Sequence, residues 1–409
     1  MQNNKMTNLP QSWEVKTLSE ISEIVTGSTP SKSNLDFYGK DYPFFKPSDF
    51  EQGYFLENAG DNLSKLGFDK ARQLPPKTIL VVCIGSLGKV ALTRVIGSCN
   101  QQINAIIPHK NIISEYIYYY CISSKFQSIL FSKAPQTTLA ILNKTEFSKL
   151  KIIYPKDIKE QKRIVGILDE SFAKIDESIK ILEQDLLNLD ELMQSALQKA
   201  FNPLKDNAKE NYKLPQGWEW KSLGEICEII GGGTPSKQIK QYWENGTIKW
   251  ATVRDMNTET IEDTEFRITN LGLDNSSTNI INQDFILIAT RVGLGKVCLV
   301  KDTLAINQDL KGILPHKSLD KKYLFYFFKK NKDFLIENGI GATVKGVSVD
   351  FIKSLQIPLP PLKEQEQIAS HLDELSSHVK NLKQNYQAQI KDLQELKKSL
   401  LDKAFKGNL

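Results

Sequence analysis

The sequence predicts an α+β protein written twice, with two related globular domains each followed by one long helix. Three observations predict it: a long internal repeat, strand-and-turn patterning in the first part of each copy, and heptad spacing in the second. The repeat carries most weight, because self-similarity at a fixed offset decides architecture before any local propensity does. Leu9 to Lys32 reads LPQSWEVKTLSEISEIVTGSTPSK, and Leu214 to Lys237 reads LPQGWEWKSLGEICEIIGGGTPSK. Sixteen of these 24 positions match, at an offset of 205 residues. Further echoes follow in order. LVVCIGSLGKVAL (Leu80–Leu92) answers LIATRVGLGKVCL (Leu287–Leu299), and Asn100-Gln101 answers Asn307-Gln308. Between these anchors, residues 33–79 and 238–286 have little in common. One fold is therefore used twice with a variable middle, and a two-fold axis relating the copies is expected.

The globular parts are expected at 1–157 and 214–361. Short apolar runs such as KTILVVCI and DFILIATRV, punctuated by Gly, Pro, Asn and Asp, read as strands and turns. SEYIYYYCISSKFQSILF and KYLFYFFKKNKDFLI read as flanking helices. The long helices are expected at 158–201 and 362–409, with a linker at 202–213. In the first, Ile164, Leu168, Ile175, Ile179, Leu182, Leu186 and Leu189 recur in steps of three and four. In the second, the seam runs through Ile368, Leu372, Leu375, Val379, Leu382, Leu393 and Leu396, with Gln389 as a polar interruption. Each helix would span about 60 Å at 1.5 Å per residue. An axis that exchanges the domains also exchanges the helices, so the helices should run antiparallel as a coiled coil separating the two domains.

Composition sets bounds. The net charge is +5, from 53 basic and 48 acidic residues, which permits a nucleic-acid partner without requiring one. Five cysteines without Cys-x-x-Cys spacing and a polar amino-terminal stretch fit a reduced, cytoplasmic compartment. No apolar run reaches the length of a membrane span. The histidines His109, His316, His371 and His378 have no metal-ligand spacing, so no metal site is expected. Neither Gly-rich turn is a phosphate-binding P-loop. Asp157, Glu160 and Lys162 are too closely spaced for a nuclease centre and open a helix. No catalytic residue is expected.

The motifs together resemble the specificity subunits of type I restriction–modification systems. The resemblance rests on the domain opening (Trp13–Ser31; Trp218–Ser236), the L-G-K-V segment (Leu87–Val90; Leu294–Val297) and the exit I-P-L-P-P-L-x-E-Q-x-x-I (Ile357–Ile368). It rests also on the helix ends A-F-K-G-N-L (Ala404–Leu409) and K-A-F-N (Lys199–Asn202). At the first exit, Ile152–Gln161 lacks the second copy's paired prolines but keeps Glu160-Gln161. The resemblance implies two target-recognition domains, each reading one half of a bipartite, asymmetric double-stranded DNA site. It also implies helices that set the gap and dock two copies of a DNA methyltransferase (modification) subunit, and a restriction/motor subunit that joins for cleavage. S-adenosylmethionine, ATP and Mg would sit on those partners, with no cofactor on this chain. A rival expectation is a coiled-coil scaffold whose heads bind protein or carbohydrate.

Candidate DNA contacts follow from side-chain chemistry. Lys32 and Lys237, in the opening Gly-rich turns, suit phosphate, as do Lys89 and Lys296 after their glycines. Arg254 and Arg291 suit bidentate guanine recognition, and their counterparts near Ser48 and Ile84 are not basic. Lys46, in the first variable middle, and Gln136, Thr137, Thr343 and Lys345, in polar loops before the domain exits, are further candidates. Asn100-Gln101 and Asn307-Gln308, kept in both copies, fit a shared structural turn better than sequence reading.

Overall fold

A computed structural model describes residues 10, 12–134, 140–201, 214–341 and 343–409. The linker expected at 202–213 and the candidates Gln136 and Thr137 lie outside the described residues. The chain divides into two compact units. One holds residues up to Leu182 together with Gln387–Leu409, and the other holds Glu183–Tyr386.

In the first unit, an entry strand, Trp13–Thr17, pairs antiparallel with the exit strand Lys151–Pro155, in register from Trp13↔Pro155. A five-stranded sheet runs in the order Ser22–Thr26, Ile103–Pro108, Ile79–Val82, Val90–Thr93, Phe55–Leu56. Its central strand explains the uninterrupted apolar run ILVV. All four residues are buried, with Ile79 and Val81 in one core and Leu80 and Val82 in another. A strand covered on both faces has no need of polar alternation. The helices Ser114–Ile122 and Ser124–Lys133 break at Ser123, whose Oγ accepts from the Phe126 amide at 3.4 Å and caps the second helix. A small sheet of Asp61–Leu63, Tyr38–Phe45 and Ser98–Cys99 carries the variable middle.

The second unit repeats this plan. Glu219–Ser222 pairs with the exit strand Gln356–Leu359. The five-stranded sheet has the same order, from Cys227–Gly231 through Leu310–Pro315, Ile286–Ala289 and Val297–Val300 to Thr260–Ile261. Its central strand divides as before, with Ile286 and Ile288 facing one core and Leu287 and Ala289 the other. The variable sheet has one strand more, in the order Phe266–Ile268, Ile248–Ala251, Leu304–Ile306, Asn279–Ile281.

The long helices span Ile158–Phe201 and Leu362–Ala404, and each unit contains part of both. In the first unit, Arg163 Nη2 donates to the Leu409 carbonyl at 2.9 Å and Lys397 pairs with Asp176, so the helices run in opposite directions. The second unit repeats the antiparallel arrangement. Lys383 pairs with Asp190, while Leu197 and Phe201 share a core with Ala369 and Leu372.

The recurring helix ends are aromatic plugs. Phe405 meets Tyr116 and Tyr120 edge-on at 5.4 and 5.0 Å in the first domain's core. Phe201 meets Tyr323 and Phe327 at 4.7 and 5.8 Å in the second. Each domain's core is thus closed by the end of the helix that follows the other domain in sequence.

The seam needs one correction. Ile164, Leu168, Ile175, Leu372 and Val379 are buried, and Ile179, Leu182, Leu186, Leu189, Ile368, Leu375 and Leu393 half-buried. Leu382 and Leu396, however, are 40% and 45% exposed. Their places are taken by Lys383 and Lys397, and Gln389 is exposed beside a half-buried Ile390. A straight helix drifts about 20° per heptad against a 3.5-residue repeat, which passes the seam to the next residue. Lysine tolerates such a position because its methylene stem packs while its ammonium reaches a carboxylate.

The buried glutamines of the exit motif hold each domain to its helix. Gln161 Oε1 accepts from the Ile113 amide at 2.9 Å, and its Nε2 donates to the carbonyls of Pro155 and Asn111 at 2.9 and 3.3 Å. Gln365 accepts from the Asp320 amide at 2.8 Å and donates to Pro360 and Ser318 at 2.8 and 3.0 Å. The missing proline pair at the first exit therefore leaves this joint unchanged. A tyrosine–carboxylate bond reinforces it: Tyr119 to Asp169 at 2.6 Å, and Tyr326 to Asp373 at 2.7 Å. Burial, and then the carboxylate, hold both phenols protonated, well above the ordinary tyrosine range.

Candidate nucleic-acid interface

Part of the candidate set falls on loops beside the five-stranded sheets, while Lys46 and Lys237 lie by the variable sheets. In the second unit, residues 290–296 join Ile286–Ala289 to Val297–Val300. Gly293 and Gly295 there adopt positive φ of 72° and 87°, a conformation glycine takes without strain. A Cβ on Gly295 would meet the Lys332 side chain at 2.8 Å, so the turn is pressed against a helix. The pre-exit segment lies alongside: the Val347 amide donates to the Thr290 carbonyl at 2.9 Å, and Gly346 lies against the Arg291 stem. This brings Arg291, Lys296, Thr343 and Lys345 onto neighbouring loops. Arg291 is 56% exposed and lies 3.6 Å from Asp309. Lys296 contacts the Val253 carbonyl at 3.5 Å and Asn257 Oδ1 at 3.4 Å, which ties in the turn bearing Arg254. Arg254 is 72% exposed and 3.4 Å from Glu265.

The first unit builds the same frame with other side chains. The Leu142 amide donates to the Cys83 carbonyl at 2.9 Å, which makes Ile84 the positional partner of Arg291. Lys89 forms an ion pair with Glu51 at 3.0 Å, and Lys46 pairs with Asp61. Lys32 and Lys237 are exposed.

The opening glycines do not stand open to a phosphate. A Cβ on Gly27 would meet the Asn100 carbonyl at 2.1 Å, and one on Gly232 the Asn307 carbonyl at 2.1 Å. The space beside these glycines is filled by the protein's own backbone, so they admit a neighbouring turn instead of a phosphate. That turn is the Asn-Gln pair. Thr29 Oγ1 donates to Gln101 at 2.5 Å, and Thr234 bonds Gln308 likewise. Asn100 and Asn307 accept amides two residues ahead, at 3.1 Å each.

Sequence reasoning missed three features. Asp49 accepts from the amides of Lys46 and Gly60 at 2.7 and 2.9 Å, and Asp255 from those of Thr252 and Glu265 at 2.7 and 2.8 Å. These carboxylates fix the turns that present Ser48 and Arg254. Both aspartates were visible in sequence at nearly the repeat offset. Lys311, on the strand beside Arg291, bonds the Gln308 carbonyl at 3.0 Å. Burial lowers its pKa and Arg291 adds to the effect, while Asp309 opposes it. Its counterpart is Asn104, which accepts from Thr26 at 2.7 Å. Lastly, Lys237 lines a cleft of about 340 Å³ with Lys240, Trp243, Glu244, Trp250 and Phe266. In the first unit, the places of Ile248 and Leu273 are taken by Tyr42 and Phe68, whose rings stack at 4.0 Å.

All five cysteines are buried. Burial pushes the thiols of Cys83, Cys99, Cys227 and Cys298 up to about 12, far from a reactive thiolate. Among the described residues, no group of three or more His, Cys, Asp or Glu is placed to hold a metal ion. Asp157 Oδ1 accepts from the Lys159 amide at 2.8 Å at the start of the helix. His371 and His378 are exposed. No helix among the described residues is long and apolar enough to cross a membrane.

The family model described as the type I restriction modification DNA specificity domain matches residues 10–186 and again 215–392. The chain belongs to this family. Two copies of the specificity domain thus coincide with the two halves of the repeat. Among relatives, the HindI specificity subunit of Haemophilus influenzae is 37% identical over 186 residues, covering 44% of this chain and 40% of that protein. The putative MjaX specificity subunit of Methanocaldococcus jannaschii is 26% identical over 430 residues, covering 98% and 94%. The alignments with the HindI, EcoR124I/EcoR124II and MjaIX subunits span only 40%, 41% and 40% of those proteins. Among solved structures, a chain from a type I R-M system superposes with a TM-score of 0.82 at 21% identity, covering 98% of this chain and all of that one. The HsdS subunit of Thermoanaerobacter tengcongensis superposes at 0.63, also at 21% identity, over the whole of both chains. At this identity the likeness establishes the fold.

Proposed function

We propose that this chain is the DNA-sequence-recognition subunit of a type I restriction–modification complex. It binds a bipartite, asymmetric duplex site, one half-site per specificity domain, and carries no catalytic centre. The observation that carries this reading is a common frame bearing different side chains at corresponding places. Arg291 answers Ile84, Arg254 answers Ser48, and Lys311 answers Asn104. At the exposed Arg254 and Arg291 the divergence is one of base-reading chemistry, which a frame repeated for stability alone would not require, whereas Asn104, opposite Lys311, is buried. Arg254, Arg291 and Lys311 are the proposed base readers. Lys32, Lys89, Lys237, Lys296 and Lys345 are proposed for phosphate, with Thr343 beside them and Lys46 in the first variable middle.

Two methyltransferase subunits and a restriction/motor subunit are the proposed partners, with S-adenosylmethionine, ATP and Mg on those chains. The seam residues pack between the helices, so partner docking is assigned to the outward side chains. Ile181, Leu187 and Leu192 are 56%, 58% and 49% exposed, and Leu382 and Leu396 join them. Gel shifts with duplexes selected from a randomised pool, repeated across a salt series, test the reading. Specific binding should weaken steeply with salt through counterion release. Binding indifferent to sequence, or strand cleavage or methyl transfer by the purified chain alone, would overturn it.

A further inference from the structure

Beside Arg291 in the second unit stands an apolar loop tip that packing does not explain. Ile340 is 86% exposed, and Val344 and Val292 are 42% and 45% exposed. The tip is held open by its own backbone. Ile340 and Gly346 exchange two hydrogen bonds, at 2.8 and 3.0 Å, and Gly341 turns the chain at a φ of 143°. The loop is fastened to the sheet through Val347 and the Thr290 carbonyl. Ile340 is therefore displayed where the backbone is paired with Gly346, not left on a frayed end.

Its surroundings are cationic. Arg291, Lys296, Lys332 and Lys345 lie on the two adjoining loops and the helix behind them. Among the described residues the three lysines form no ion pair, while Asp309 partners Arg291, and Asp333 and Glu337 lie on the helix leading to the loop. An aliphatic tip within positive charge is poorly suited to a protein core or an uncharged groove. It suits a surface that is anionic outside and apolar inside, which is the stacked interior of a nucleic-acid duplex. Proteins that distort duplexes use such apolar wedges between base steps, flanked by phosphate-binding cations.

We propose that Ile340 is a wedge that inserts into the duplex and unstacks a base step in the half-site read by the second domain. This assignment rests on the DNA-recognition reading above. Lys345 and Arg291 would grip the flanking backbone and bases, and the easily unstacked pyrimidine–purine steps would be favoured at the wedge position. Selectivity would then arise at a step where no side chain reads a base edge.

The test uses the full chain and duplexes that the wild-type protein selects from a randomised pool. Permanganate reports unstacked thymines in the bound duplex, and gel shifts report affinity. Because Ile340 is exposed, Ile340→Ser leaves the fold intact, which hydrogen exchange of the exit strand checks. The wild-type chain should give one hyperreactive step in one half-site. Ile340→Ser should erase that reactivity and weaken binding roughly tenfold, the loss expected for one buried aliphatic side chain, with the salt dependence unchanged. Lys345→Ala should instead lower the salt slope by about one and keep the hyperreactive step. Unaltered affinity and permanganate pattern in Ile340→Ser would overturn the wedge. So would intact DNA binding with lost capture of a methyltransferase subunit, which would make the tip a protein contact. Failure of the wild-type chain to select any sequence would instead overturn the recognition reading beneath it.

Discussion

Replacing Gln161 by Leu removes a side chain that joins the first domain to its helix. The amide is fully buried and makes three hydrogen bonds, two of them at 2.9 Å. Leucine is similar in volume, so loss of packing is a small part of the effect. The larger part is the Ile113 N–H and the Pro155 carbonyl, left without partners away from water. Each unsatisfied buried group costs about 1–3 kcal/mol, and the apolar gain of leucine offsets part of that, leaving roughly 2 kcal/mol. The assay is hydrogen exchange resolved by peptide. Protection across residues 111–116 should fall about thirtyfold, the factor that corresponds to ~2 kcal/mol. The matching segment around Asp320 in the second unit should exchange as in the wild type, because Gln365 serves it independently. Gln365→Leu should give the mirror result. Wild-type protection at residues 111–116 in Gln161→Leu would refute the reasoning, since the amide bond would then contribute nothing to the joint.

Other consequences can be checked by substitution. Phe405→Ala should destabilise the first unit by about 3–5 kcal/mol, and Phe201→Ala the second by a similar amount, each measured by denaturant unfolding of that unit. A loss confined to the other unit would contradict the plug assignment. Arg291→Ala should relax discrimination at one base pair by about 1–3 kcal/mol in competitive binding, whereas Lys296→Ala should weaken all sequences alike. Lys397→Glu should lower thermal stability by more than the ~0.2–1 kcal/mol of a solvent-facing ion pair, because the packed lysine stem leaves the seam as well, and Asp176→Lys added to it should restore the charge part of that loss. Failure of the double exchange to rescue would show that the pair does not help set the helix register.

Much of this was legible in the sequence because duplication prints it twice. The apolar runs at Ile79–Val82 and Ile286–Ala289, the Glu-Gln exit and the Ala-Phe helix ends all recur, and each proved to be a piece of shared frame. What escaped reading was what depends on tertiary approach. Nothing local reveals that residues 290–296 lie beside Gly339, Gly346 and Val347, or that Gly27 is pressed against the Asn100 carbonyl. The capping role of Asp49 and Asp255 is carried by turns, whose signal is shared by many surface aspartates. The displacement of Leu382 and Leu396 from the seam arises because 3.6 residues per turn and a seven-residue repeat diverge over five turns or more. Lys311 carries no local mark of its place, because only the sheet puts it beside Arg291.

The proposed recognition depends on two unlike readers within one chain. The most direct measurement is the motif selected from a randomised duplex pool by the wild-type chain and by Arg291→Ala. The wild type should select two short, unequal half-sites at a fixed gap, and Arg291→Ala should degrade one half-site and leave the other intact. A palindromic or single continuous motif, or degradation of both halves together, would contradict it.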